Sequence, residues 1–401
     1  MFAFDAPIFA PLHVSTTGLI VDFSFTEEQI LLRDSVDKYV REHCSVERHR
    51  ALCSTELGFD PGAWQQFAQL GWLAIPFSEE LGGIGGNATD LMVIGEALGK
   101  GLVREPFLST VVTCGSLLQQ AGSAAQQLQH IPSIIDGTAQ WAFAFAEQSS
   151  GYDFACVQAS ARREGEQYSL NGSKLSVLNA HCAQQVIVSA RTAGASNERN
   201  GITLFVVAAN APGLRREIFV AVDGSRGAHL HFKNVLLDET QVLGVVGEGL
   251  PLIESAINSS IVVLGAEALG SMQTLLDTTV QYTKTREQFG QPISTFQALQ
   301  HRMADMYLKV EETRSLVLNA AIQLDAGSDE VDAACAALKV KVSEAGRFVS
   351  QQAVQLHGGI GMTDELNVGH HYKRLMLLGK LYGDEAWYLQ KYSELAASHA
   401  A

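Results

Sequence analysis

Two stretches near the end of the chain put cations, amides and glycines where they can hold a ligand. The first is TREQFGQPISTFQALQH, residues 285–301. Arg286 and Gln288 stand just before a tight Phe289-Gly290 turn, and Phe296, Gln297 and Gln300 follow at the start of the next helix. A guanidinium fork matches phosphate oxygens and amides satisfy sugar hydroxyls, so this arrangement can grip a diphosphate and its ribose. The same text suits a helix–turn–helix corner whose arginine caps carbonyls, and spacing does not choose between the two. The second stretch is QLHGGIGMTDE, residues 355–365, where Gly358, Gly359 and Gly361 close a helical run that includes Gln355. Residues without side chains let a backbone approach a flat or phosphorylated ligand. An ordinary glycine C-cap gives the same pattern.

Other chemistry is absent from the text. There is no HExxH, GxSxG or Walker A run. His370-His371 invites a metal reading, but adjacent helical residues point apart and no acidic or cysteine spacing accompanies them. A solvated or interface pair is expected there, and no metal site. The loop ELGGIGG, residues 80–86, has neither a preceding strand nor GxGxxG spacing and reads as a plain turn.

The chain that must position these residues has 401 residues, 28 Lys plus Arg against 43 Asp plus Glu, and a formal net charge of −15. Apolar residues make up 47% and charged residues 18%, against about 25% charged in an average protein. That excludes a disordered chain, and the length suggests about two to three domains. The acidic balance argues against nucleic acid or an anionic membrane as partner. No apolar run reaches the ~18 residues of a membrane span. The six cysteines are dispersed without a CxxC pair, and no Lys or Arg precedes Arg33. Reduced thiols, no signal peptide and a cytoplasmic location are therefore expected. Residues 1–20 read as a poorly ordered extension.

Thr26 and Gln29 have capping-box spacing at the first helix, and helical periodicity runs to about residue 137. Between about 140 and 245 the period becomes two, with β-branched strands and turns such as Asn171-Gly172. From about 250 the text is helical again. The expectation is a mainly α chain with a β-barrel middle domain: an N-terminal helical domain at 22–138, a middle β-domain at 139–246 and a C-terminal helical bundle at 247–401.

Taken in order, six segments resemble the acyl-CoA dehydrogenase family over residues 22–390. They are DFSFTEEQ, GWLAIPFSEELGG, EALGKGLVREP, FAFAEQSSGYD with YSLNGSKL, TREQFGQPI…FQALQ, and QLHGGIG. The resemblance implies that family's fold and its FAD-dependent α,β-dehydrogenation of an acyl-CoA thioester, the chemistry of β-oxidation. A carboxylate base takes the α-proton, and electrons leave to an electron-transferring flavoprotein. It also implies that the last two motifs reach across a dimer interface to the ADP half of a neighbour's FAD. The implied cofactor residues are Arg286, Gln288, Phe289, Phe296, Gln297, Gln355, Gly358 and Gly359.

The departures are specific. Where the family can place its glutamate in the helix before the arginine motif, this chain has Ser260, with Ile261 beside it. Glu254 and Glu267 lie six and seven residues away and are expected at a surface or interface. The family's other glutamate position falls, with a small gap, at Asp384 or Glu385 in LYGDEAWY. Where Trp-Ile-Thr often meets the flavin ring, the chain has Ser176-Val177-Leu178, and Tyr152 stands where a small serine is usual. Leu178 has no donor. GGIGMTDELNVGHHYKRL resembles the small-subunit chains of heterotetrameric bacterial acyl-CoA dehydrogenases of steroid or pimeloyl-CoA breakdown. That resemblance implies a homologous partner carrying the base. The alternatives are a self-sufficient enzyme using Asp384 or Glu385, and a silent acyl-CoA-binding or scaffold subunit.

Overall fold

Thr26 opens the first helix as its text requires. Its hydroxyl accepts from Gln29 N at 3.2 Å, and the Gln29 side chain accepts from Thr26 N at 3.1 Å. The computed structural model describes residues 25–400, with side chains as far as 397, so the expected extension at 1–20 lies outside the described residues. The first helical segment comprises α1 (Glu27–His43), α2 (Val46–Cys53), α3 (Pro61–Gln69), α4 (Ala88–Lys100), a π-helical stretch (Phe107–Cys114), α5 (Gly115–Ala121) and α6 (Ala124–Ile135). Asn87 with Asp90, and Ser123 with Gln126, repeat the capping box at α4 and α6.

The β-segment is one eight-stranded sheet. Its strands are β1 (Trp141–Ala144), β2 (Ser160–Glu164), β3 (Gln167–Leu178), β4 (Gln185–Arg191), β5 (Ile202–Ala208), β6 (Leu214–Val220), β7 (Arg226–Asp238) and β8 (Val242–Leu243). The order is β6-β7-β3-β2-β4-β5-β8, with β1 parallel to β4. The sheet wraps a small core of its own that includes Tyr168, Val188, Phe205 and Leu230. Asn171-Gly172 is not the turn expected from its dipeptide. It lies inside β3, where the ladder with β7 shifts register between Leu170 and Gly172, and Asn171 Oδ1 accepts from Asn234 N at 2.8 Å. Gly172 takes φ +138°, so the pair serves a β-bulge that bends a long strand.

The last segment holds α7 (Gly249–Thr285), a two-stranded hairpin of β9 (Glu287–Gln288) and β10 (Gln291–Pro292), α8 (Gln297–Asp325), α9 (Val331–His357), a 3₁₀ turn (Gly358–Met362), α10 (Asn367–Leu378) and α11 (Glu385–Ala400). α7 is the spine. A side chain at Gly99 would start 2.0 Å from Glu267 O, so only glycine lets α4 lie this close to it. Both helical segments contribute to a single apolar core. Asp325, at the end of α8, ties them further by accepting from Ala88 N (2.6 Å), Thr89 N (3.1 Å) and the Thr89 hydroxyl (2.6 Å) at the start of α4. Among the described residues α7 alone is long and apolar enough to cross a bilayer, and 72% of that stretch is buried within the protein. It is a core helix.

Candidate functional site

The two C-terminal motifs meet at one end of the bundle. Arg286 ends α7 and Gly358 ends α9; the Tyr282 ring stacks on His357 with centroids 4.4 Å apart. Neither aromatic stood out in the sequence, yet this stack brings the motifs together. Phe289 (φ +55°) and Gly290 (φ +79°) form the tip of the β9–β10 hairpin. Phe289 is 91% exposed and packs edge-on to Phe296 at 6.0 Å. Arg286, Gln288, Gln297 and Gln355 are all exposed, and the Arg286 guanidinium makes no hydrogen bond or ion pair among the described residues. Gly358 adopts φ +65°, and side-chain atoms added at Gly358 or Gly359 would meet nothing within 4 Å. A helix cap alone does not need that open space on both glycines. The donor set, the open backbone and the free cation fit the diphosphate and ribose of a dinucleotide.

A different environment lies about a third of the way along α7. Ser260 is fully buried; its hydroxyl donates to Ala256 O at 2.7 Å and lies 2.8 Å from Thr113 Oγ1. The Tyr382 hydroxyl approaches the same Thr113 oxygen at 3.2 Å. Thr113 is carried by the π-helical stretch, a geometry that recurs at functional sites. Tyr382 has φ +62°, strained for a residue with a side chain. Burial pushes its phenol up to about 12. Lys339 holds this bend: its fully buried ammonium donates to Leu378 O, Gly379 O and Gly383 O at 3.1, 3.0 and 2.7 Å. Burial pushes that ammonium down to about 7.

Next to this hydroxyl cluster is a cavity of about 50 Å³ between Ser109, Thr113, Phe143, Phe145, Leu178 and Tyr382. Phe145 stacks on Phe143 at 5.2 Å and lies 5.9 Å from the Tyr382 ring. Ligand pockets usually offer roughly 300 Å³ or more. Leu178 presents no donor, and Tyr152 leans on Trp387 at 6.5 Å. This side does not fit a flavin ring as the motif end fits a dinucleotide's diphosphate. What the sequence missed is its support: Lys174, fully buried, pairs with Glu147 at 2.6 Å, and Glu147 accepts from Gln158 N and Ala159 N. Burial pushes Lys174 down to about 8, despite the opposing pull of Glu147.

The carboxylates near the site are engaged. Asp384 accepts from Lys380 (3.0 Å) and from Trp387 N (3.1 Å), which hold its carboxyl below the ordinary range. Glu385 pairs with Arg347 at 3.1 Å. Glu254 pairs with Arg199 on the surface. Glu267 is not at a surface, contrary to expectation: α4 packs over α7, and Glu267 receives Arg374 Nε at 2.6 Å while Arg374 Nη1 reaches Asp223 at 2.8 Å.

The histidine pair is also buried rather than solvated. His370 sits edge-on to His49 at 4.9 Å, and its Nε2 lies 3.1 Å from Asp364 O. His371 is 1% exposed. Burial, then repulsion by Arg104, pushes His49 down to about 4; burial, then His49, takes His371 to about 3. Both are neutral packing groups. No cluster of three or more metal-ligating side chains occurs among the described residues.

Three family profiles match in order: acyl-CoA dehydrogenase N-terminal domain at 26–138, middle domain at 142–235 and C-terminal domain at 247–387. Isovaleryl-CoA dehydrogenase, mitochondrial, from Oryza sativa subsp. japonica is 31% identical over 377 residues, spanning 92% of this chain and 90% of that protein. Among solved structures, the Tcur3481-Tcur3483 steroid ACAD superposes with TM-score 0.85 at 28% identity, covering 93% of this chain and 99% of that one. The FAD complex of PigA superposes with TM-score 0.88 at 26% identity, covering 94% and 99%.

Proposed function

Because the chain belongs to the acyl-CoA dehydrogenase family, a family of FAD-binding oxidoreductases acting on acyl-CoA, we propose that it completes the FAD site of a heteromeric enzyme whose catalytic glutamate sits on a homologous partner. One observation carries this reading. At Ser260 the chain has a buried hydroxyl cluster with Thr113 and Tyr382, and the carboxylates around it are committed to Lys380, Arg347 and Arg374. A general base must be free to accept a proton and close to it. None of these is both.

When bound, FAD would supply the acceptor for the hydride leaving the acyl β-carbon. In this reading Arg286 and Gln288 bind the diphosphate and ribose of that FAD, while Gly358 and Gly359 let the backbone of the 3₁₀ turn approach it. Gln297 and Gln355 supply amides beside them, and Phe289 with Phe296 gives the contact an apolar flank that excludes water. The substrate is an acyl-CoA, with a sterol-derived chain favoured by the likeness to a steroid ACAD of two named components and a dicarboxylic chain by the resemblance of GGIGMTDELNVGHHYKRL to pimeloyl-CoA-type small subunits. An electron-transferring flavoprotein is the electron acceptor in the same reading. The open nucleotide grip speaks against a silent scaffold.

The test is reconstitution. Purified alone, the chain should be nearly colourless; with its homologous partner it should bind one FAD per pair and turn over. Asp384→Ala and Glu385→Ala should leave that turnover nearly intact. A yellow, active homo-oligomer of this chain alone, or a collapse of turnover in either variant, would sink the reading.

A further inference from the structure

Four aromatic rings meet on the flavin side. Phe143 belongs to β1, Phe145 directly follows that strand, Phe154 comes from the loop before β2, and Tyr382 comes from the bend between α10 and α11. Phe145 is the ring they share. Its centroid lies 5.2 Å from Phe143, 5.4 Å from Phe154 edge-on, and 5.9 Å from Tyr382, all within the range where aromatic pairs attract. An ordinary core cluster gives the same stack, but two observations set this one apart. Phe143 alone is deeply buried, at 6% exposed, while Phe145, Phe154 and Tyr382 each keep part of their surface open. Phe143, Phe145 and Tyr382 also border the empty 50 Å³, whereas a close-packed interior leaves few spaces larger than a water. These rings narrow a cleft rather than complete a core.

The backbone beneath Phe145 is pinned, so the narrowing lies in its side chain. Phe145 O accepts from the buried Lys174 ammonium at 3.1 Å, and Ala146 O accepts from Leu175 N at 2.8 Å. Tyr382 is held at both ends: its hydroxyl lies on Thr113, and its carbonyl accepts from the Tyr388 hydroxyl at 3.1 Å. Phe143 is part of the main apolar core, and Phe154 reaches the group through Phe145. The hydroxyls of the wall are also spent, Thr113 donating to Leu108 O at 3.0 Å and Ser109 to Pro106 O at 3.4 Å. We propose that Phe145 is the residue that shuts this chain's own flavin side, so that a flavin gripped at the motif end places its ring on another chain. The second clause rests on the partner-subunit reading above; the closure itself does not.

Riboflavin is the probe, because it carries the ring without the diphosphate and leaves the motif end out of the measurement. It is titrated into the full chain purified alone. Quenching of its fluorescence reads binding, and near-ultraviolet circular dichroism reads the packing of each variant. Phe145→Val should bind riboflavin at least about tenfold more tightly than the unaltered chain, as a planar ring gains stacking on Phe143 and Tyr382. Phe145→Ile, a milder opening, should gain in the same direction. Phe145→Tyr keeps the ring and should stay within about twofold of the unaltered chain. An equal gain in Phe145→Tyr, or no gain in a folded Phe145→Val, overturns the closure. Loss of native packing in both Val and Ile variants overturns it too, since Phe145 is then a core residue. If the unaltered chain binds riboflavin as tightly as Phe145→Val while the reconstituted pair holds one FAD, the closure falls and the partner-subunit reading stands. The same binding with one FAD per chain and no partner overturns both.

Discussion

At the ends of α7 and α9 the chain leaves a guanidinium, several amides and two open glycines facing outward. A third of the way along α7 it buries three hydroxyls against aromatic rings. Both regions are built on the same helix, about 25 residues apart at 1.5 Å per residue, yet one presents open donors and the other is filled by its own side chains. Cofactor gripping needs exposed donors on rigid element ends, whereas proton abstraction needs a carboxylate kept unpaired in a dry pocket. These demands fall on different residues, so one can be lost while the other is kept. That separation is what makes a two-chain division of the reaction physically reasonable.

The contrast can be broken most forcefully from the buried side. Lys174→Met removes one partner of a fully buried ion pair and leaves Glu147 uncompensated, so it should cost about 3–5 kcal/mol of stability. Denaturant titration reads this, and a loss below about 1 kcal/mol would mean the ring-side framework is looser than a buried, hydrogen-bonded ion pair implies. Acid should discriminate the two regions next. His49 and His371 have folded pKa values depressed from 6.5 to about 4 and about 3. Between those values the unfolded chain binds protons that the folded chain refuses. Stability is therefore full above pH 6.5 and falls as pH drops toward 4, by about 3 kcal/mol for His49 alone. Replacing both histidines with asparagine should flatten that slope, and an unchanged slope would move the acid sensitivity elsewhere.

On the open side, Arg286→Ala should weaken FAD in the complex by about 2–3 kcal/mol. The melting temperature of the FAD-free protein should stay put, because the guanidinium makes no hydrogen bond or ion pair among the described residues. A large drop in that temperature would make Arg286 a structural residue. The smallest effect belongs to Asp384→Ala, about 1 kcal/mol from loss of a helix cap. Turnover should be untouched.

Periodicity and caps made the helical, β, helical order legible, and the Thr26 box is formed as its residues demand. The meeting of exposed Arg286, Gln288, Gln297 and the two glycines at one end of the bundle follows from motifs that already stood out in the sequence. What stayed hidden was whatever depends on tertiary placement. Asn171-Gly172 makes a local turn only if the strand stops, and β7 gave it a reason to continue. Glu267 and His371 look solvent-facing in one dimension; α4 and Arg374 half-bury the first, and the packing of α10 against α9 and α7 buries the second. The stack of Tyr282 on His357 and the hydroxyl contacts of Thr113 join residues 75 and 147 positions apart, beyond any pattern of local spacing.

The close seating of α4 on α7 has a consequence for synthesis. The face of α4 that carries Gly99 finds its cover only when Glu267 and its neighbours have been made, more than 160 residues later. During translation the first six helices therefore wait, with an apolar face uncovered, while the whole β-sheet is built. Folding of the helical core is set by the arrival of α7 rather than by the order of the chain, and a nascent chain stalled before Gly249 should be the species that chaperones hold and proteases find first.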